Sequence, residues 1–268
     1  VAPTVNLAAT QGSGDTFTVS LSNGLVVVRS SVTDPNAGDT HVYDWSETAP
    51  DLMDEDDEPG TFTIDPAGLE EGFYLVSVTI SDGQASDTAE MILLVLSSPR
   101  ILSSTDDSDF DGLDDLTEGD GDEDGDRISN YLDGVKNNSG LQTFVGERTR
   151  YLIETLPGLR LKVGNTAFQS EAQQAMILMS DIIDKGGVGD DIRYSYPNGL
   201  IDLRISALPL ASQNPINVVI PQISAIPSDA VYRVMTSTGW HDFTSDEDNA
   251  ISSAAGEDGY CPPPGDEA

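Results

Sequence analysis

The chain has 268 residues, with 47 Asp and Glu against 12 Lys and Arg and a formal charge of −35. Such a field repels nucleic acid and anionic membrane, attracts divalent cations, and suits a salty extracellular medium that screens self-repulsion. The 38% apolar fraction arrives in strand-length runs, which predicts two folded domains with a connector and offers no segment of about twenty apolar residues to span a bilayer.

Residues 1–98 predict an all-β unit. The opening VAPTVNLAAT reads as an interdomain lead-in. Phe17, Val19 and Leu21 then alternate with polar neighbours, the period of a half-buried strand. Further strand signals are the apolar run 25–28, Val42, Tyr43 and Trp45, and the pair Phe62 and Ile64. Two longer alternations follow, at Tyr74, Val76, Val78 and Ile80 and at Ala89, Met91, Leu93 and Val95. Turn signals such as Ser22-Asn23-Gly24, Asp65-Pro66-Ala67-Gly68 and Ser81-Asp82-Gly83 separate them. The acidic run 54–58 reads as a solvated loop tip. Six or seven short strands so spaced predict an immunoglobulin-like β-sandwich. The phrases VTDPNAGDTHVYDW (32–45), GFYLVSVTISDG (72–83) and DTAEMILLVL (87–96) resemble bacterial PKD and cadherin-like domains. Some members of those families bind calcium through loop aspartates, which the resemblance carries onto Asp34, Asp39 and Asp82. The competing reading is that these three only cap turns.

Residues 99–140 predict a connector with two twelve-residue cation loops. The first places Asp107, Asp109, Asp111, Asp115 and Glu118 at positions 1, 3, 5, 9 and 12. Gly112 stands at position 6, where the chain must turn, and Leu113 offers its carbonyl at position 7. A hard cation such as Ca²⁺ requires that spacing of oxygen donors. The second loop repeats it fifteen residues later with Asp122, Asp124, Asp126, Ile128, Asn130 and Asp133. There Arg127 replaces the turn glycine and Asp133 the longer Glu, so this loop is expected to bind more weakly. Crowded carboxylates repel one another, and a bound ion converts that repulsion into folding energy. The tandem run resembles thrombospondin type 3 repeats of bacterial surface proteins, and two or more Ca²⁺ ions are implied. Long flanking helices are not predicted, so a rigid connector fits better than a calcium sensor that opens a groove.

Residues 141–268 predict a second sandwich, giving a mainly-β fold of two immunoglobulin-like domains joined by the acidic segment. Its strand signals are 151–153, Leu159/Leu161/Val163, Ile201/Leu203/Ile205, 218–220 and Val231/Val234. A short helix is expected near 180–185, ended by Gly186 and Gly187. The runs PNGLIDLRISALPL, AVYRVMTSTGWHDF and GEDGYCPPPGDEA resemble the choice-of-anchor C-terminal domains of bacterial surface proteins. That family continues into a further strand with a second cysteine and a sorting signal. The resemblance therefore implies a piece of a longer secreted chain, with a disulfide partner for Cys261 beyond Ala268. A free surface thiol is the other reading of Cys261.

The leading expectation is a non-enzymatic, calcium-dependent structural or adhesive segment of a secreted or cell-surface protein: a stalk, matrix component or filament subunit. Its partners would be Ca²⁺ together with other copies of itself or a surface ligand. The alternative is a pair of accessory modules that position a secreted hydrolase on a polymer, with Tyr43, Trp45, Tyr74, Trp240 and Tyr260 as candidate stacking residues. Catalysis within the chain is not expected. His41 and His241 are the two neutral-pH bases, and neither stands beside a nucleophile motif.

Overall fold

Alternating apolar residues of the first hundred build eight strands: β1 (Thr4–Gln11), β2 (Gly14–Asp15), β3 (Thr18–Ser20), β4 (Val26–Thr33), β5 (Val42–Asp44), β6 (Thr61–Ile64), β7 (Gly72–Ser81) and β8 (Ser86–Leu96). The computed structural model describes residues 1–12, 14–15, 17–36, 38–98, 100–144, 151–169, 173–185, 189–207, 216–246 and 250–253. The fold is mainly β, and the chain gathers into two compact units. The first comprises Val1–Asp106 and Leu113–Tyr131, the second Asp107–Gly112 and Leu132–Ala268, so the acidic segment is divided between them.

In the first unit the strands form two four-stranded sheets, ordered β2-β1-β4-β6 and β3-β8-β7-β5. Ala9, Val26, Val28, Phe62 and Ile64 of one sheet share a core cluster with Val19, Val76, Leu93 and Val95 of the other. The two inner faces therefore close on each other as a sandwich. The short β3 runs parallel to β8, Thr18 opposite Leu94, whereas β7 and β8 pair antiparallel over ten residue pairs from Gly72↔Val95 to Ser81↔Ser86. Residues 4–11, expected only as a lead-in, pair with β4 along their whole length. Val5, Leu7 and Ala9 alternate there with Asn6, Ala8 and Thr10, the adjacent alanines blur the period, and Val5 and Ala9 alone are buried. The acidic run 54–58 is exposed from Glu55 to Glu58, and two of its carboxylates are also held by β6. The Asp54 carboxylate accepts from the Thr63 amide at 3.0 Å and Asp56 binds the Thr63 hydroxyl. Both carboxylates thus lie against β6, an edge strand, where charge blunts strand-to-strand association.

The second unit contains β9 (Gly140–Gln142), β10 (Leu152–Thr155), β11 (Leu159–Val163), β12 (Met176–Ile177), β13 (Leu200–Ile201), β14 (Leu203–Ala207), β15 (Val218–Val219), β16 (Arg233–Thr236) and β17 (Gly239–Asp242). Its described strands make one three-stranded sheet, β15-β10-β9, and the two-stranded pairs β11-β14, β12-β13 and β16-β17. The opposed four-stranded sheets of the first unit have no counterpart among them. Leu141, Ile153, Leu161 and Val163 supply a core at 0–1% exposure. The expected strand through Ile201, Leu203 and Ile205 is interrupted at Asp202. Its carboxylate turns away to accept from the Thr166 and Ala167 amides at 2.7 and 2.9 Å, capping a short helix at Asn165–Gln169. The helix expected near 180–185 is present as Met179–Lys185.

Arg233 knots the hairpin β16-β17 to the loop before β13. Its Nε donates to Asp191 at 2.7 Å and its Nη1 to Asp242 at 2.5 Å, with Tyr196 Oη donating to Asp191 at 2.6 Å. The Arg233 hydrogen bond holds the Asp191 carboxyl below its usual range, while burial and then Asp191 push the Tyr196 phenol up to about 12. Gly186, Gly187, Tyr260 and Cys261 fall outside the described residues. Among those described, no helix is long and apolar enough to cross a membrane.

Candidate metal centre

Positions 1, 3 and 5 of each predicted loop come together. Asp107, Asp109 and Asp111 each present a carboxylate oxygen within 4.8 Å of the others, and so do Asp122, Asp124 and Asp126. Two oxygens on one Ca²⁺, each at about 2.3–2.6 Å from it, are at most about 5 Å apart, so each triad has the span of a single ion.

The two loops share a backbone as well as a spacing. In the first, the position-6 amide of Gly112 donates to Asp107 Oδ2 at 3.2 Å and the Asp111 amide to Asp109 Oδ1 at 3.0 Å. In the second, the Arg127 amide donates to Asp122 Oδ2 at 3.0 Å and the Asp126 amide to Asp124 Oδ1 at 3.2 Å. Left-handed conformations recur at the same two places. Position 4 has φ of 64° at Phe110 and 78° at Gly125, and position 6 has 100° at Gly112 and 76° at Arg127. Each loop therefore carries one glycine and one side-chain-bearing residue at its two strained positions. The sequence made Arg127 look like a defect of the second loop alone, but the matching strain of the first sits at Phe110.

That symmetry gives a test. Phe110 is 55% exposed, so little packing is lost in Phe110→Gly. Relief of the left-handed backbone is worth about 1 kcal/mol of stability after glycine's extra chain entropy is set against it. Denaturant unfolding of Phe110→Gly is expected to show that gain over the parent. A variant no more stable than the parent would mean that the folded loop does not hold residue 110 in this conformation.

Burial and charge crowd the carboxylates of the triads, an arrangement able to hold a cation. Asp109 is 5% exposed and Asp126 fully buried. Asp107 Oδ1 is buried without a hydrogen-bond partner, a costly state that coordination would relieve. Burial first, and then the charge of Asp122, push the Asp124 carboxyl up to about 6. Lys136 stands 3.2 Å from Asp111 Oδ2 and supplies a partial internal counter-charge that the spacing did not reveal.

The remaining expected ligands have definite places. Asp115 opens the single helical turn Asp115–Glu118, with Asp114 capping it through the Thr117 amide and Gly119 ending it. Leu113, Asp115 and Glu118 belong to the first unit, whereas the triad of their loop belongs to the second. In the second loop Ile128 is fully buried and its amide donates to Asp126 Oδ1 at 2.8 Å. Asn130 accepts from the Glu123 amide at 2.9 Å, bracing the loop from within. Asp133 belongs to the second unit and accepts from the Val135 amide at 3.0 Å.

Asp34, Asp39 and Asp82 also form a triad within 4.8 Å. Much of its oxygen is already committed. Asp34 Oδ1 accepts from Asn36 at 2.8 Å, and Asp82 Oδ1 from Gln84 and Ala85, both at 2.7 Å. These backbone amides hold both carboxyls below the usual range. His41 Nε2 lies 2.8 Å from Asp34 Oδ2, while Asp39 Oδ2 is buried with no hydrogen-bond partner. The turn-capping and the ligand readings thus coexist, with different oxygens available to each. Comparison with protein-family models, with curated proteins and with solved structures yields no match.

Proposed function

We propose that this chain is a calcium-binding structural or adhesive segment of a secreted or cell-surface protein, without catalysis of its own. The observation that carries the proposal is the repeated loop geometry. Two loops with the same internal hydrogen bonds each gather three carboxylates to within the span of one ion. All-oxygen donor sets of this charge favour Ca²⁺ over Mg²⁺, which gives up its waters reluctantly. In this reading the ions hold the acidic segment in one conformation and serve rigidity. Parallel pairing of β3 with β8 beside antiparallel neighbours supports an immunoglobulin-like, PKD- or cadherin-like reading of the first unit.

The aromatics required by a polymer-binding role are largely engaged elsewhere. Trp45 packs on Phe62 at 5.5 Å and donates to Pro59, and Tyr74 donates to Glu70. Trp240 packs on Tyr196 at 5.5 Å and donates to Gly189. These contacts favour the structural reading over the hydrolase-accessory one.

Calorimetric titration of the cation-stripped chain is expected to reveal at least two Ca²⁺ sites, with Kd on the order of 10⁻⁴ to 10⁻³ M as in extracellular modules. Absence of binding up to about ten times that range would sink the proposal. Calcium-independent retention on insoluble polysaccharide would favour the accessory-module reading instead.

A further inference from the structure

We propose that Arg127 is a positioning residue for the second loop, organising the Asp122–Asp124–Asp126 triad by tying its backbone to strand β8; this rests on the reading of that triad as a cation site. Position 6 is the tightest point of the loop, and glycine suits it because nothing but a turn is asked there. Here the residue takes the same left-handed conformation, with φ of 76°, and yet its side chain is directed inward. Arg127 Nη2 donates to Glu90 Oε2 at 2.9 Å, and the two side chains are only 3% and 9% exposed. A guanidinium so desolvated is tolerated because a carboxylate meets it at close range, and that requirement fixes its place.

The main chain of Arg127 does the second half of the work. Its amide donates to Asp122 Oδ2 at 3.0 Å, so the residue anchored to Glu90 is also the one that orients the position-1 ligand. The following residue, Ile128, is fully buried, and its amide orients Asp126. At either end of the loop the same unit takes hold again. Asp120 binds the Thr18 hydroxyl of β3, and Arg100 lies 5.1 Å over the Tyr131 ring. The sandwich thus supplies the order that a bare glycine turn would leave to the ion itself.

Two accounts of Arg127 therefore predict opposite signs. If it is only a poor turn residue, Arg127→Gly tightens the loop. If it positions the triad, Arg127→Gly loosens it although the favoured turn residue is restored. The experiment uses the full chain carrying Asp39→Asn, Asp107→Asn and Asp111→Asn, so that Ca²⁺ is read at the second loop by calorimetry. Arg127→Gly and Glu90→Gln are each expected to weaken binding about ten- to a hundred-fold, the usual cost of losing a partner that orients a ligand. Arg127→Gly together with Glu90→Gln leaves no buried unpaired charge and keeps the unit folded should either single variant fail to fold. It is expected to lose no more than the singles, because one tether is removed. Melting of the double variant in chelator, compared with its parent, separates a loss of fold from a loss of positioning. Binding by Arg127→Gly or by the double variant as tight as the parent's, or tighter, overturns the proposal. A parent that binds no Ca²⁺ would instead refute the cation reading of the triad beneath it.

Discussion

Adding a chelator to the calcium-loaded chain is expected to lower its melting temperature and to open residues 100–135 to proteolysis. An ion present at about a hundred times its Kd contributes about 2.7 kcal/mol of stability through mass action. For a unit of roughly a hundred residues that is a shift on the order of 10 °C. Apart from the ties of the second loop to the sandwich through Arg127 and Ile128, the segment has little to hold it once the ions leave. Its regular structure amounts to the single helical turn Asp115–Glu118 and the 3₁₀ turn Asn130–Leu132. The charges left behind are poorly hydrated and repel, since burial first and then Asp122 raise the Asp124 carboxyl. Limited proteolysis with fragment mapping, with calcium and then with chelator, reads the change directly. Cleavage within 100–135 that is the same in both conditions would remove the case for cation-dependent rigidity, whatever binding calorimetry records.

The donor spacing was the part of this site most legible in the sequence. Asp107, Asp109 and Asp111, and their counterparts fifteen residues on, form triads because a loop of this length brings alternate residues to one side, a local property. What the spacing could not carry was anything depending on backbone sign or on distant chain. Phe110 gives no hint that it sits at φ of 64°, since position 4 is not the place where a turn glycine is sought. Arg127 looked like a flaw because its partner, Glu90, lies 37 residues earlier on β8. The same limit governs the fold. Strands with clean alternation, such as 74–80 and 89–95, were legible from their period. β1 was not, because the adjacent Ala8 and Ala9 blur its period and its order comes from pairing with β4. Asp202 broke an expected strand for an equally non-local reason, its bond to a helix start 36 residues before it.

Removing the ions one loop at a time is expected to weaken different parts of the molecule. The Asp122–Asp124–Asp126 triad lies in the first unit and the Asp107–Asp109–Asp111 triad in the second. An ion that binds only the folded form stabilises the unit whose folding builds its site. Asp122→Asn with Asp126→Asn should therefore lower the calcium-dependent part of amide protection in β7 and β8, beneath the Arg127–Glu90 pair. Asp107→Asn with Asp111→Asn should do so around residues 134–142, where Lys136 meets Asp111 and the Gly134 amide donates to Gln142. Asparagine keeps the shape and much of the hydrogen bonding of aspartate, so protection in chelator serves as the control for the fold itself. The turn glycine gives no ranking between the two loops, because the residues at positions 4 and 6 make the backbone cost alike in both. Calcium-dependent protection lost equally from both units in either double variant would contradict the assignment of one ion to each, since each triad would then be acting on the fold as a whole.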